Sequence, residues 1–356
     1  MKCIIWGQED YAKRICSYLK WKISKKYILM YIHPLDIEKP DKTVFNFDLY
    51  DAQLNTLPKE SKIYVAFSIK YHIQTKQKLE NMGFSNIIMY NAEVDNILKK
   101  DYFENLFAMK NRPFRMIYDM YPKHVAKNQS IKIYMAKSVF DKPISNYSFN
   151  LSSHIIPIQV GAALTNKRIA EVLDNTGENI SERNRRYSEM TAFYWMWKNA
   201  KSNYLGICHY RRLWVHLDEI AKKLLTTDVD VVLPLPTLAE HSVYEDYLLK
   251  HIPDVWKTML DVLQENAPDY YNISKHIFNE TIFYASNMCI LKRNVLNELC
   301  QWMFPIVMEI EHRIGTLNDT YYNRYAGFVT ERLITLYFLY NKQCWNIAHA
   351  EKIFIG

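Results

Sequence analysis

Residues 203–214 read NYLGICHYRRLW. Leu205 to Cys208 is a short apolar run of the kind that forms a buried strand, and it ends in His209, Tyr210, Arg211 and Arg212, with no acidic residue until Asp218. In open α/β sheets ligands bind beyond the carboxyl ends of the strands, so this strand presents a histidine and two arginines on the ligand-facing side. The arginine fork pairs two-point with phosphate or carboxylate. Two such forks can neutralise a diphosphate leaving group without a metal.

The chain around this stretch has 356 residues and 49% apolar content, enough for two domains or one large α/β domain with an appendage. No run reaches the roughly 18 to 20 apolar residues that span a bilayer, and Met1 to Ile4 enter a strand-like pattern at once, so a cytoplasmic protein is expected. Cys3, Cys16, Cys208, Cys289, Cys300 and Cys344 show no CxxC pairing and read as buried free thiols, which speaks against zinc. The net charge of +7 is diffuse, as suits solubility and loose attraction to polyanions or anionic lipid headgroups, but Arg183, Arg185, Arg186, Arg211 and Arg212 concentrate it.

The opening MKCIIWGQEDYAKRICSYLK reads as strand, turn at Gly7 and amphipathic helix. It enters a nucleotide-binding-like βαβ unit whose G-x-G-x-x-G fingerprint has decayed to Gly7, Glu9 and Ala12; Glu9 would repel a pyrophosphate, which argues against dinucleotide binding. Strand, helix and strand continue through residues 62–68, 76–82 and 83–91, so residues 1–95 form a small Rossmann-like module. Residues 96–130 read as a helical linker. A second start at residues 131–138, followed by polar and turn residues through Asn150, opens an α/β domain over 131–356.

Within that domain, residues 174–200 combine a polar turn centred on Gly177, a cap at Asn179 or Ser181, and a helix. Glu182, Arg185, Arg186 and Glu189 share one face of this helix and Tyr187, Met190, Tyr194 and Trp197 another. A salt-bridged stripe opposite a core stripe accounts for that pattern, while free N–H groups at the helix start would suit an anion. Asp228-x-Asp230 resembles a metal-carrying triplet, but it precedes its strand and so reads as structural. Further on stand Tyr244, Asp246 and His251, the polar Ser286-Asn287 interrupting a strand, and Gly327 ahead of Glu331 and Arg332. Glu331 reads either as a catalytic base or as a helix-start carboxylate favoured by the dipole.

The segments IKIYMA, IPIQVGAAL, DNTGENISERN, YSEMTAFYWMWKN, YLGICHYRR, VVLP, YASNMCILKR and RYAGFVTERL, in this order over roughly residues 131–340, resemble a family of bacterial capsular and exopolysaccharide glycosyltransferases with an HYRR signature, formerly a domain of unknown function. The resemblance implies a GT-A-like glycosyltransferase domain and transfer of a hexosyl unit from a UDP-sugar to a glycan or lipid-linked acceptor; some members transfer galactofuranose. Peripheral contact with the inner face of an anionic membrane fits such an acceptor. On this reading Asp174, Asn179, Asn184, His209, Arg211, Arg212 and Asn287 are expected on the donor side, and Tyr244, His251 and Arg332 on the acceptor side. Glu331 is the expected general base, with Asp246 in reserve. No tightly bound cofactor is expected; a divalent metal is allowed but not expected, and nucleic acid is not an expected partner. The rival reading is a non-catalytic module in which the arginines grip a polyanion or RNA.

Overall fold

The computed structural model describes residues 3–23, 28–32, 54–125, 128–142, 144 and 151–355. The turn expected through Asn150 lies largely outside the described residues. The chain divides into two compact units, Met1–Pro113 and Phe114–Gly356.

In the first unit, β1 (Cys3–Gly7), α1 (Glu9–Leu19), β2 (Ile28–Ile32), β3 (Lys62–Ala66), α2 (His72–Asn81) and β4 (Ile87–Met89) alternate, and the strands pair in parallel in the order β2-β1-β3-β4. This is the Rossmann-like α/β module, with Ile4, Trp6, Ile63, Val65, Phe67 and Leu79 in its core. A Cβ on Gly7 would lie 2.2 Å from the Ala66 carbonyl oxygen, so the glycine lets β1 lie against β3. Gln8 accepts a hydrogen bond from the Ser68 N–H, and Glu9 pairs with Lys13. Gln8 thus ties the β1 loop to the β3 loop, and Glu9 serves its own helix. Helix α3 (Ala92–Met109), capped by the Asn91 side chain, packs on α1 through Tyr18, Tyr102 and Phe103. The expected linker over 96–130 is therefore divided: its helical part is integral to the first unit, and from Phe114 the chain belongs to the second, where Met116 bridges to His349.

The second unit runs β5 (Ile131–Lys137), β6 (Ile155–Gln159), β7 (Val172–Leu173), α4 (Asn184–Tyr187), α5 (Met190–Asn199), β8 (Tyr204–His209), β9 (Arg212–Trp214), α6 (Leu217–Thr226), β10 (Val231–Pro234), β11 (Thr237–Leu238), α7 (Val243–Lys250), α8 (Pro253–Asn266), α9 (Pro268–Ile277), β12 (Ile282–Phe283), β13 (Cys289–Lys292), α10 (Arg293–Ile314), α11 (Tyr325–Tyr340), β14 (Ile347–Ala350) and β15 (Lys352–Phe354). The sheet order is β14-β10-β13-β8-β5-β6-β7, with β5, β6, β7 and β8 parallel and β13 antiparallel between β8 and β10. A mostly parallel sheet in which β13 and the short β9 are reversed, with helices on both faces, is the GT-A-like α/β fold.

Strand β8 lies inside this sheet and is buried along its whole length, as a strand covered on both faces must be. Its period of two divides the core: Leu205 and Ile207 join Phe193, Val295 and Leu333 on one face, while Tyr204 and Cys208 join Ile220, Leu224 and Val232 on the other. A Cβ on Gly206 would meet Ile133 Cδ1 at 2.7 Å and Ile290 Cγ1 at 2.8 Å, so the glycine makes room for both neighbouring strands. Four of the cysteines are buried, but Cys344 is exposed and Cys16 half-buried, against the expectation of burial. No described helix is long and apolar enough to cross a membrane.

Candidate functional site

The HYRR stretch is a hairpin. His209 at the end of β8 pairs with Arg212 at the start of β9, leaving Tyr210 and Arg211 as the turn. Strand β15 pairs with β9 and brings the Phe354 ring to 5.7 Å from the Arg211 guanidinium and 5.3 Å from that of Arg212. Among the described residues neither guanidinium has a hydrogen bond or an ion pair within 4.0 Å, although the charge of Arg211 is felt by Asp141 in the same cleft, and the rings give both a flat surface to rest on.

Two adjoining cavities open at the carboxyl ends of β5, β6 and β8. The outer one, of about 720 Å³, is lined by Ala136, Ser138, Asp141, Val160, Asn184, Arg185, His209, Tyr210, Arg211 and Arg212, among others. The inner one, of about 230 Å³, is lined by Ser286, Tyr321, Gly327, Phe328 and Glu331, and shares Ser188, Glu189, His209, Arg212 and Arg324 with the outer. His209 is more than nine-tenths buried, and its Nε2 has no partner among the described residues. Burial holds its pKa below the ordinary value, with Glu189 opposing and Arg212 adding to the depression.

The helix expected over 181–200 breaks at Ser188, whose backbone is left-handed (φ 51°, ψ −128°). Asn184 secures the break: its Nδ2 donates to the Ser188 carbonyl at 2.7 Å and to Thr191 Oγ1 at 3.0 Å. The single charged stripe anticipated from spacing therefore does not form. Arg183 and Arg186 both pair with the buried Glu311, at 2.8 and 2.7 Å, while Arg185 lines the outer cavity. Glu189 accepts from Asn287 Nδ2 at 2.8 Å. The expectation that it pairs with a helix arginine does not hold.

Glu331, the expected general base, lines the inner cavity. Both its oxygens are engaged, Oε1 by the Ser286 N–H at 2.6 Å and Oε2 by Arg332 Nη1 at 2.8 Å. Burial raises its pKa; Arg332 and the Ser286 N–H pull the other way. Asn287, fully buried, does not line either cavity but positions Glu189.

Four expected site residues lie elsewhere. Asp174 is fully buried and accepts from the backbone N–H groups of Gly161 (2.8 Å) and Ala162 (3.0 Å) and from the hydroxyls of Ser181 and Thr191. It ties the β6 turn to the start of α5 and cannot meet a nucleotide. Asn179 folds its own turn, donating to the Gly177 carbonyl and accepting from the Ser181 N–H. Asp246 and Arg332 are buried together, 3.7 Å apart, with Arg332 against the Tyr247 and Phe283 rings. A cation so enclosed serves the core, and neither residue reaches the cleft.

The remaining two acceptor-side expectations separate. His251 stacks on Phe328 at 4.1 Å, behind the wall of the inner cavity, and burial lowers its pKa to about 4. Tyr244 lines a different groove of about 620 Å³, with Trp256, Lys257, Leu260 and Lys275. The Asp-x-Asp pair is structural: Asp228 pairs with Lys123, and Asp230 with Lys292. Among the described residues no group of three or more His, Cys, Asp or Glu side chains is arranged to hold a metal ion. Ser188 and Arg324 are among the cavity residues that sequence reading missed, with Ser138, Asp141, Thr320, Tyr321 and Asn323. Arg324 precedes the quoted Gly327 turn, and its position ahead of a helix was the available signal.

The family described as a domain of unknown function (DUF4422) matches residues 142–342. No curated protein matches. Among solved structures, the apo form of the bifunctional glycosyltransferase WbbM is similar, with 23% identity and a TM-score of 0.54. The likeness covers 64% of this chain and 45% of that one, so the chain spans less than half the length of that protein. It is a likeness of fold.

Proposed function

This chain belongs to the DUF4422 family, and from that premise we propose that it transfers a hexosyl unit, galactofuranosyl included, from a UDP-sugar to a glycan or lipid-linked acceptor of the kind used in capsular and exopolysaccharide assembly. The observation that carries this reading is the pair of unpartnered arginines, Arg211 and Arg212, at a concave cleft beyond the carboxyl end of a central strand. A diphosphate leaving group develops charge as the glycosyl bond breaks, and preorganised cations in a partly enclosed cleft stabilise that charge without reorganising. The polymer-gripping alternative loses ground because Arg183 and Arg186 are already committed to Glu311. The free cations that remain face a cavity sized for a small molecule.

In the proposed reaction the acceptor hydroxyl oxygen bonds to the anomeric carbon, the bond from that carbon to the diphosphate breaks, and its electron pair leaves with UDP. The hydroxyl proton passes to a carboxylate. Glu189 and Glu331 both line the inner cavity, and Glu189 is the better base: its Oε2 has no partner among the described residues, whereas Glu331 has both oxygens engaged. Asp246 is withdrawn from this role by its place in the core. Contact with the inner face of the membrane is part of the same proposal, as the route to a lipid-linked acceptor.

Calorimetric titration with UDP tests the reading. The intact chain should bind it, and Arg211→Ala and Arg212→Ala should each weaken binding by about tenfold or more, as expected for a lost charge-assisted contact, with the melting temperature retained. Absence of UDP binding in the intact chain, or full affinity in both variants, would overturn it.

A further inference from the structure

The two cavities meet at a neck, and the residues that line both are Ser188, Glu189, His209, Arg212 and Arg324. The two arginines come from distant parts of the chain, Arg212 from β9 and Arg324 from the turn that leads into α11. Arg324 Nε donates to Ser188 Oγ at 2.9 Å, and its guanidinium carbon lies 5.8 Å from the Phe328 ring centre. Its two terminal nitrogens have no partner among the described residues. The left-handed backbone of Ser188 thus has a use: it presents the hydroxyl that fixes the fork of Arg324 while leaving the outer edge of that fork free.

Charge changes across the neck. To the shared Glu189, Arg212 and Arg324 the inner cavity adds only the Glu331 carboxylate, which repels an anion, whereas the outer cavity adds two cations, Arg185 and Arg211, against one acid, Asp141. An anionic chain entering from the outer cavity is therefore stopped at the neck, where Arg212, Arg324 and the unpartnered, buried Nε2 of His209 converge. Resting on the UDP-sugar reading above, we propose that Arg212 and Arg324 form the site of the second phosphate, and that Arg324 is the residue that selects a nucleoside diphosphate over a monophosphate. The glycosyl group, carried by that second phosphate, would then enter the inner cavity, beside Glu189.

Calorimetry with UMP and UDP on the full chain tests this. The intact protein should bind UDP at least about tenfold more tightly than UMP. Arg324→Ala should lose about tenfold in UDP affinity while its UMP affinity stays within about twofold, so that the ratio falls toward one. Arg324→Lys, which keeps the charge but not the fork, should recover part of the difference. The Arg324 side chain is exposed, so the melting temperature should not move. An unchanged UDP-to-UMP ratio in Arg324→Ala, or equal losses for both nucleotides, would overturn the assignment and leave the transferase reading standing. Failure of the intact chain to bind UDP would instead remove that reading, and this inference with it.

Discussion

Asn287 Nδ2 donates to Glu189 Oε1 at 2.8 Å and to the Gly327 carbonyl at 3.0 Å, so one buried amide joins the carboxylate before α5 to the first turn of α11. Ser286 and Asn287 reach this position through left-handed backbone, φ 80° and φ 49°. For residues other than glycine each such conformation costs on the order of 1 kcal/mol, which the surrounding hydrogen bonds must offset. The fold spends stability here to hold one carboxylate still.

If Glu189 is the base, Glu189→Gln should lower kcat about a hundredfold or more while UDP affinity holds, because the amide keeps the size and loses the basicity. Glu331→Gln should cost less turnover and more stability, since its oxygens answer the Ser286 N–H and Arg332. Parallel measurement of UDP release, UDP affinity and melting temperature separates the two. The reverse ranking would return the base role to Glu331.

Asp174→Ala should destabilise the second unit by at least about 3 kcal/mol, because it strands two buried N–H donors and two hydroxyls. Urea unfolding would measure this. The folded fraction should still bind UDP, the opposite of what a nucleotide contact would give.

Glu311→Gln should behave similarly and spare the cleft. One buried carboxylate serves Arg183, Arg186 and the Tyr187 hydroxyl, and breaking such a partly buried pair costs a few kcal/mol, about 2 to 4. A lower melting temperature with UDP affinity within about twofold is the expected outcome.

Acid should weaken the fold before the carboxylates titrate. Burial lowers the pKa of His349 to about 4 from 6.5. Between those values the unfolded chain binds a proton that the folded chain refuses, so this group's contribution to stability is constant above about 6.5 and is lost as pH falls toward 4, by about 3 kcal/mol. Urea midpoints taken from pH 7.5 to 4.5 should fall accordingly. His349→Gln should show a shallower slope, with His251, also lowered to about 4, supplying much of the remainder.

The strand that ends in His209 was legible because a central strand must be apolar throughout, and the arginines after it were legible because nothing acidic stood near them. The break at Ser188 was not. Tyr187, Met190 and Tyr194 keep a helical spacing across it, and all are buried, so periodicity carried the helix straight through a residue whose backbone is set by Asn184. Glu189 was assigned to a local arginine for the same reason. Neighbours along a helix are visible in sequence; Glu311, which takes those arginines, and Asn287, which takes Glu189, are not. Asp174 and Asp246 show the converse error, since an acid near a polar turn looks like a ligand group until its burial is known.

Glu331 and Arg332 are consecutive on α11, yet one lines the inner cavity and the other is enclosed by Asp246, Tyr247 and Phe283. Packing errors around that guanidinium are therefore transmitted across a single peptide bond to a carboxylate that lines the inner cavity. A random-mutagenesis screen for lost turnover should return positions 246, 247 and 283 as frequently as the cleft itself, and among diverged sequences these positions should change together with 332 as a block rather than singly.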